Sequence, residues 1–253
     1  YGMFHWGIAG WAFYCIPAIA MGYVYHVKKV PFLRISRACK AILGHHADGV
    51  PGKVIDILFM VGLLFSSGTS MGLGTPMISA SIQSLFGVTE SFTLHVIVIL
   101  FCATIFSVSV YLGLNRGIRR LSNFNTVFAF IFIAFIFLAG PTVFILKMSL
   151  NSIGLMTQEF VRMLTWTEPL TDTRFVEDWS IFYWSWWIAV GPFNGIFISK
   201  ISGGRSIRQV ISGTLFFGSV GCTMFYCVLG NYALDLELSG TYLTTEAISL
   251  EKA

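Results

Sequence analysis

The chain is 253 residues long, 55% hydrophobic and only 11% charged, against about 25% charged residues in a soluble globular domain. With a mean hydropathy of +0.76, this composition excludes a soluble domain and predicts an all-α, multi-pass membrane protein. The net charge of +4 gives no reason to expect a nucleic-acid partner, so its meaning lies in where the basic residues fall.

Six long apolar segments follow one another, at 2–26, 54–86, 92–114, 121–148, 179–201 and 206–233. Each exceeds the ~20 residues that cross a ~30 Å hydrocarbon core. The sequence starts inside the first, YGMFHWGIAGW, and stops at EAISLEKA, so it reads as an internal piece of a longer, incomplete transmembrane domain over 1–253. On one helix Trp6, Trp11 and Tyr14 of the first segment share about 140° of arc. Trp6 suits an interfacial belt, but Trp11 and Tyr14 lie deeper, ~14–20 Å from the outer end. In the basic connector, residues 32–47 put Arg34, Arg37 and Lys40 on one face, as a surface helix would.

The second segment begins near Asp56 and Lys53 and carries FSSGTSMGLG, with Ser66, Ser67, Thr69 and Ser70 close together. Hydroxyls in membrane helices usually bond the carbonyl four residues back or aid close packing. The functional alternative is a sodium site of hard oxygen ligands near a broken helix. Gly72 to Pro76 predicts that break or kink, because proline removes a backbone donor. The third segment carries His95 near its outer end. After the fourth, residues 149–166 form a second amphipathic stretch.

The fifth segment opens with WSIFYWSWW, in which Trp179, Tyr183, Trp184, Trp186 and Trp187 fall within nine residues. At 3.6 residues per turn, 179, 183, 186 and 190 share a face and 187 sits at its edge. Trp186 and Trp187 lie too deep for a belt. Core packing is one account of them; the other is a ligand site, because a cation without N–H donors is held by the faces of aromatic rings. Mid-membrane indoles on two helices favour the shared box, and therefore an onium solute. Asn194, one turn beyond Val190, is the amide near mid-depth, able to bind a carboxylate, a cation or a neighbouring helix.

Charge placement fixes an orientation. With the first segment running inward, loops 27–53, 115–120 and 200–208 hold 12 of the 16 basic residues on the cytoplasmic side of a cell membrane, which satisfies the positive-inside rule at three successive loops. Ten of the 12 acids, Glu90, Glu159, Glu168, Asp172, Glu177, Asp178, Asp235, Glu237, Glu246 and Glu251, fall opposite. Neither a P-loop nor GxGxxG is present. The five cysteines lack a C-x-x-C pair and read as small buried hydrophobes. His45-His46 read as a solvated loop, and His5 and His95 as hydrogen-bonded interfacial residues. No metal site or enzyme chemistry is assigned.

At these residues the sequence closely resembles the betaine/carnitine/choline transporter family. The matching stretches are FHWGIAGWAFY (4–14), IDILFMVGLLFSSGTSMGLG (55–74), LSNFN (121–125), GPT (140–142), WSIFYWSWW (179–187) and GPFNGIFISKISGGRSIRQ (191–209). The resemblance implies a secondary transporter built from five-plus-five inverted repeats, with this chain holding about six of the helices. It implies an aromatic box of Trp6, Trp11, Tyr14, Trp186 and Trp187, with Trp179 and Tyr183 as a peripheral pair on the substrate path. Val190 stands where a further aromatic is common, which opens the box on one side. For Na+, the possible coupling ion, Ser67 stands where a threonine is usual, and Tyr14 and Phe193 also match that site. Leu63 replaces its second hydroxyl, so sodium-independent exchange is equally compatible. Lys200 and Gly203 replace usual arginines, and Gln209 a usual glutamate. No organic cofactor is implied; a homotrimer in the bilayer is. The expected function is transport of a quaternary ammonium or sulfonium solute, such as betaine, carnitine, choline or dimethylsulfoniopropionate. A non-transporting onium sensor or regulatory subunit is the alternative.

Overall fold

The computed structural model describes residues 1–31, 33–89, 91–113, 117, 119–171 and 173–240. Phe32, Glu90, Arg116, Asp172, Glu246, Glu251 and Lys252 of the patterns above therefore lie outside the described residues. Among the described residues the chain is helical and carries no strand. The α-helices of the described residues run as α1 (Gly2–Trp6), α2 (Ile8–Gly22), α3 (Ile35–Ala38), α4 (Lys40–Leu43), α5 (Val50–Phe86), α6 (Phe92–Tyr111), α7 (Arg119–Ala139), α8 (Thr142–Gln158), α9 (Phe160–Thr165), α10 (Phe182–Ile201), α11 (Ile207–Phe225) and α12 (Asn231–Leu238). Wider π turns at Tyr23–Val27, Val176–Ile181 and Tyr226–Gly230 join some of them. Among the described residues six segments are long and apolar enough to cross a membrane, Gly2–Val27, Val50–Phe86, Phe92–Tyr111, Arg119–Ala139, Val176–Ile201 and Ile207–Leu238.

Contacts divide the chain into two units, Tyr1–Met60 with Ile133–Ala253, and Val61–Phe132. In the first unit α10 packs along α2, α11 lies against α2 and α1, and α12 against α8. One core gathers Tyr14, Ala18, Trp187 and Ile198. A second gathers Ile133, Ile145 and Val228, with Tyr232 packed on it. There Asn231 Nδ2 donates to Cys227 O at 2.8 Å and to Ser149 Oγ at 3.1 Å, tying the last π turn to α8. In the second unit, Phe124, Phe128 and Phe132 stack down α7 with centroids 6.1 and 6.4 Å apart. This is the i,i+4 spacing of a helix face.

Several local expectations change. Pro76 lies inside an unbroken α5. Pro76 removes one ladder bond, Thr75 Oγ1 beside it donates to Met71 O at 2.7 Å, and the helix continues. The stretch 121–148 is divided instead: α7 ends at Ala139, and α8 starts after Pro141, which cannot continue the ladder. The amphipathic stretch 149–166 is the end of α8 plus α9. The surface segment 32–47 is short pieces rather than one helix, broken at Cys39 and at Gly44, where φ is +56°. Its basic residues are paired. Arg34 donates to Asp56 Oδ2 from Nε at 2.9 Å and Nη2 at 2.6 Å, and Ser36 donates from its amide and hydroxyl. Arg37 meets Asp48 at 2.7 Å. Asp56 thus anchors the connector to α5. Of the cysteines, all free, Cys15 and Cys227 are buried, while Cys39, Cys102 and Cys222 are partly exposed.

Candidate functional site

Ten of the predicted site residues lie in the first unit, on α1, α2, the π turn 176–181 and α10. The first segment is not one straight helix. At Gly7, with ψ −130°, α1 ends and α2 begins. A Cβ there would lie 2.2 Å from Met3 O, so only glycine allows the bend. The bend takes Trp6 off the arc it would share with Trp11 and Tyr14 and turns it toward α10.

Trp187 is the centre of the resulting cluster rather than its edge, at 4% exposure. The Trp6 ring stands edge-on to it, centroids 4.7 Å apart at 82°, and Tyr14 does so at 6.0 Å. Tyr183 and Trp186 lie nearly parallel to it, at 5.7 and 6.0 Å. Trp6 also touches Tyr183 and Trp186. Trp179 joins through Tyr183 at 6.1 Å and is half exposed, at the rim. Trp11 joins through Tyr14 at 5.4 Å. Its indole lies against Gly218 of α11, where any Cβ would fall 2.2 Å from the ring. The rings close over Trp187, leaving partly exposed faces on Trp6, Trp11, Tyr183 and Trp186.

Polar groups at this depth are few. Trp187 Nε1 donates to His5 O at 3.0 Å. Asn194, partly buried on α10, is the amide among the predicted site residues. Trp6 Nε1 is shielded from solvent with no acceptor among the described residues. Val190 is partly buried on α10 and Phe193 is 49% exposed. Such a set can hold a methylated cation on ring faces and offer N–H donors to an anionic end.

The predicted ion ligands divide differently. Tyr14 and Phe193 belong to the first unit and Ser67 to the second. Ser67 donates to Leu63 O at 2.9 Å, Thr69 to Phe65 O at 3.0 Å and Ser70 to Ser66 O at 3.1 Å. Among the described residues no group of three His, Cys, Asp or Glu could hold a metal. A cavity of about 240 Å³ lies elsewhere in the first unit, lined among others by Met3, Met156, Tyr226 and Asn231 and by none of the predicted site residues.

Three neighbours of the cluster carry no site role in the sequence reading. Trp184 packs on Phe4, His5 and Phe13. Gly218 seats Trp11, and no local pattern marks it. His5, expected at the interface, is 2% exposed and bonds Ser180. A polar ring inside an apolar stretch needs a partner, and that was the available signal.

A family model described as BCCT, betaine/carnitine/choline family transporter, matches residues 1–252. The chain is 36% identical over 255 residues to the glycine betaine transporter OpuD of Bacillus subtilis (strain 168), covering 98% of this chain and 49% of that protein. It is 33% identical over 249 residues to a carnitine transporter of Acinetobacter baumannii, covering 98% and 45%. It is 35% identical over 240 residues to an uncharacterized transporter of Escherichia coli (strain K12), YeaV, covering 95% and 50%. The chain thus spans about half the length of the curated relatives it matches.

Proposed function

The chain belongs to the betaine/carnitine/choline transporter family, and from that premise we propose that it forms part of a secondary transporter for a quaternary ammonium or sulfonium solute of the betaine, carnitine, choline or dimethylsulfoniopropionate type. The observation that supports this reading is the ring cluster around Trp187, drawn from α1, α2 and α10. A methylated onium head loses little by leaving water, since it donates no hydrogen bonds, and each ring face within about 6 Å contributes roughly 0.5–2 kcal/mol. Trp6, Trp11, Tyr14, Trp186 and Trp187 would hold the head, and Trp179 and Tyr183 would lie on its path. The Asn194 amide and the unpaired Trp6 N–H would meet a carboxylate at the other end of a zwitterion. Loops 27–53, 115–120 and 200–208 face the cytoplasm in this reading, supported by their basic charge. Assembly as a homotrimer belongs to the same proposal.

Uptake of the four labelled solutes by the full-length parent in proteoliposomes, with and without a sodium gradient, tests it. At least one solute moves. Sodium dependence would identify Na+ as the coupling ion despite Leu63, and sodium-independent uptake that requires internal solute would identify an exchanger. Trp187→Leu lowers affinity severalfold to about thirtyfold, the span set by one ring's contribution. Affinity unchanged in that variant, with normal membrane abundance, sinks the box.

A further inference from the structure

His5 stands outside the ring set that would touch a solute, yet it is joined to that set twice. Its ring Nε2 lies 3.0 Å from Ser180 Oγ, a pairing across 175 residues with both partners buried. Its backbone carbonyl accepts Trp187 Nε1 at 3.0 Å. The His5 ring is packed against Tyr183 at 5.2 Å and Trp184 at 5.4 Å. Ser180 differs from the many hydroxyls in the helices that bond locally. Ser67, Thr69, Thr104, Thr126 and Ser202 each return their proton to the carbonyl four residues back, which is the usual arrangement. Ser180, in the π turn that leads into α10, pairs across to α1 instead. Gly10 leaves the room: a Cβ there would lie 2.6 Å from His5 O and 3.2 Å from Trp187 Nε1.

We infer that His5 is a positioning residue, whose ring bond to Ser180 and carbonyl bond from Trp187 together hold α1 and α10 in the register that sets Trp6 edge-on to Trp187. The inference rests on the proposed onium site for its effect on affinity, but not for its effect on Trp187. A buried hydrogen-bonded pair constrains both helices, because breaking it leaves a polar group without a partner in an apolar setting. His5 therefore acts on a solute through Trp187.

The test uses the full-length protein with His5→Ala, His5→Gln, Ser180→Ala and the His5→Ala/Ser180→Ala double variant. One readout needs no solute: the indole N–H band of Trp187 in ultraviolet resonance Raman spectra, isolated by difference against Trp187→Phe. His5→Ala shifts that band toward a weaker hydrogen bond, and His5→Gln, which retains a donor and an acceptor at similar reach, restores it. The second readout is transport: His5→Ala raises KM about tenfold and leaves the maximal rate per inserted molecule within about twofold, a loss of binding rather than of turnover. Ser180→Ala, the smaller change should His5→Ala fail to insert, reproduces most of both effects, and the double variant is no worse than His5→Ala. An unmoved Trp187 band, an unchanged KM, or additive losses in the double variant overturns the inference. If the wild type carries no onium solute the proposed function falls, and the Raman band alone then decides the role of His5.

Discussion

Glu168 shows how a single side chain shapes an exposed connector here. It sits at φ +54°, and its carboxylate accepts from the Thr173 hydroxyl, the Thr173 amide at 2.9 Å and the Thr171 hydroxyl at 3.1 Å. These bonds, the Thr173 hydroxyl first, hold the carboxyl below its ordinary range. A depressed acid stabilises the folded turn above its unfolded value of about 4.3, and the contribution disappears as pH falls through the lower folded value. The protection factor of the Thr173 amide in hydrogen exchange should therefore fall as pH drops from about 5 toward the folded value. In Glu168→Gln it should be low and nearly independent of pH. A wild-type protection factor that stays constant across this acid range would show that the carboxylate does not hold the turn.

At the scale of elements, the close approach of α2 and α10 sets the geometry of the aromatic cluster. Gly195 makes that approach possible: a Cβ would lie 2.7 Å from Pro17 Cβ and 2.8–2.9 Å from the backbone of Pro17 and Ala18. The neighbouring atoms are backbone and a locked ring, so they cannot move aside cheaply. Gly195→Ala should destabilise the protein by about 1–3 kcal/mol, the usual cost of overpacking. Gly213→Ala on α11 is the control, since nothing lies within 4 Å of its added Cβ, and it should be neutral or stabilising by up to about 1 kcal/mol. Unfolding midpoints of the two variants in detergent give the comparison. Equal midpoints would mean that the helix pair separates enough to absorb the methyl group.

For the whole molecule, the decisive fact is that the chain covers about half of each relative's length. Alternating access in inverted-repeat transporters moves one repeat against the other around a shared site. Residues 1–253 expressed alone should insert but give no solute accumulation above that of empty liposomes, while the full-length parent accumulates solute. Accumulation by the isolated chain would show that these six spans suffice, and the two-repeat account of its activity would have to be abandoned.

The all-α class, the number of spans and the family were legible in the residues, because burial in lipid dictates long apolar helices and WSIFYWSWW is a rare local pattern. Depth put Trp6 in an interfacial belt and only the family resemblance placed it in the box, whereas Trp187 and Tyr14 could be named as a deep indole and a phenol at helical spacing. The ranking within the cluster could not. A regular helix puts 187 at the edge of its own face, whereas Trp6, set by the bend at Gly7, and Tyr14 of α2 pack against it and make it the centre, which spacing within one helix does not encode. Nor does composition separate the unbroken helix through Pro76 from the break at Pro141. Each proline costs one ladder bond, and whether the helix continues past it is decided by its surroundings. The His5–Ser180 pair spans 175 residues. Sequence alone determined that a polar ring in an apolar stretch needs a hydrogen-bond partner and read His5 as interfacial; only the packing of α1 against the turn before α10 decided that it is buried and that its partner is Ser180.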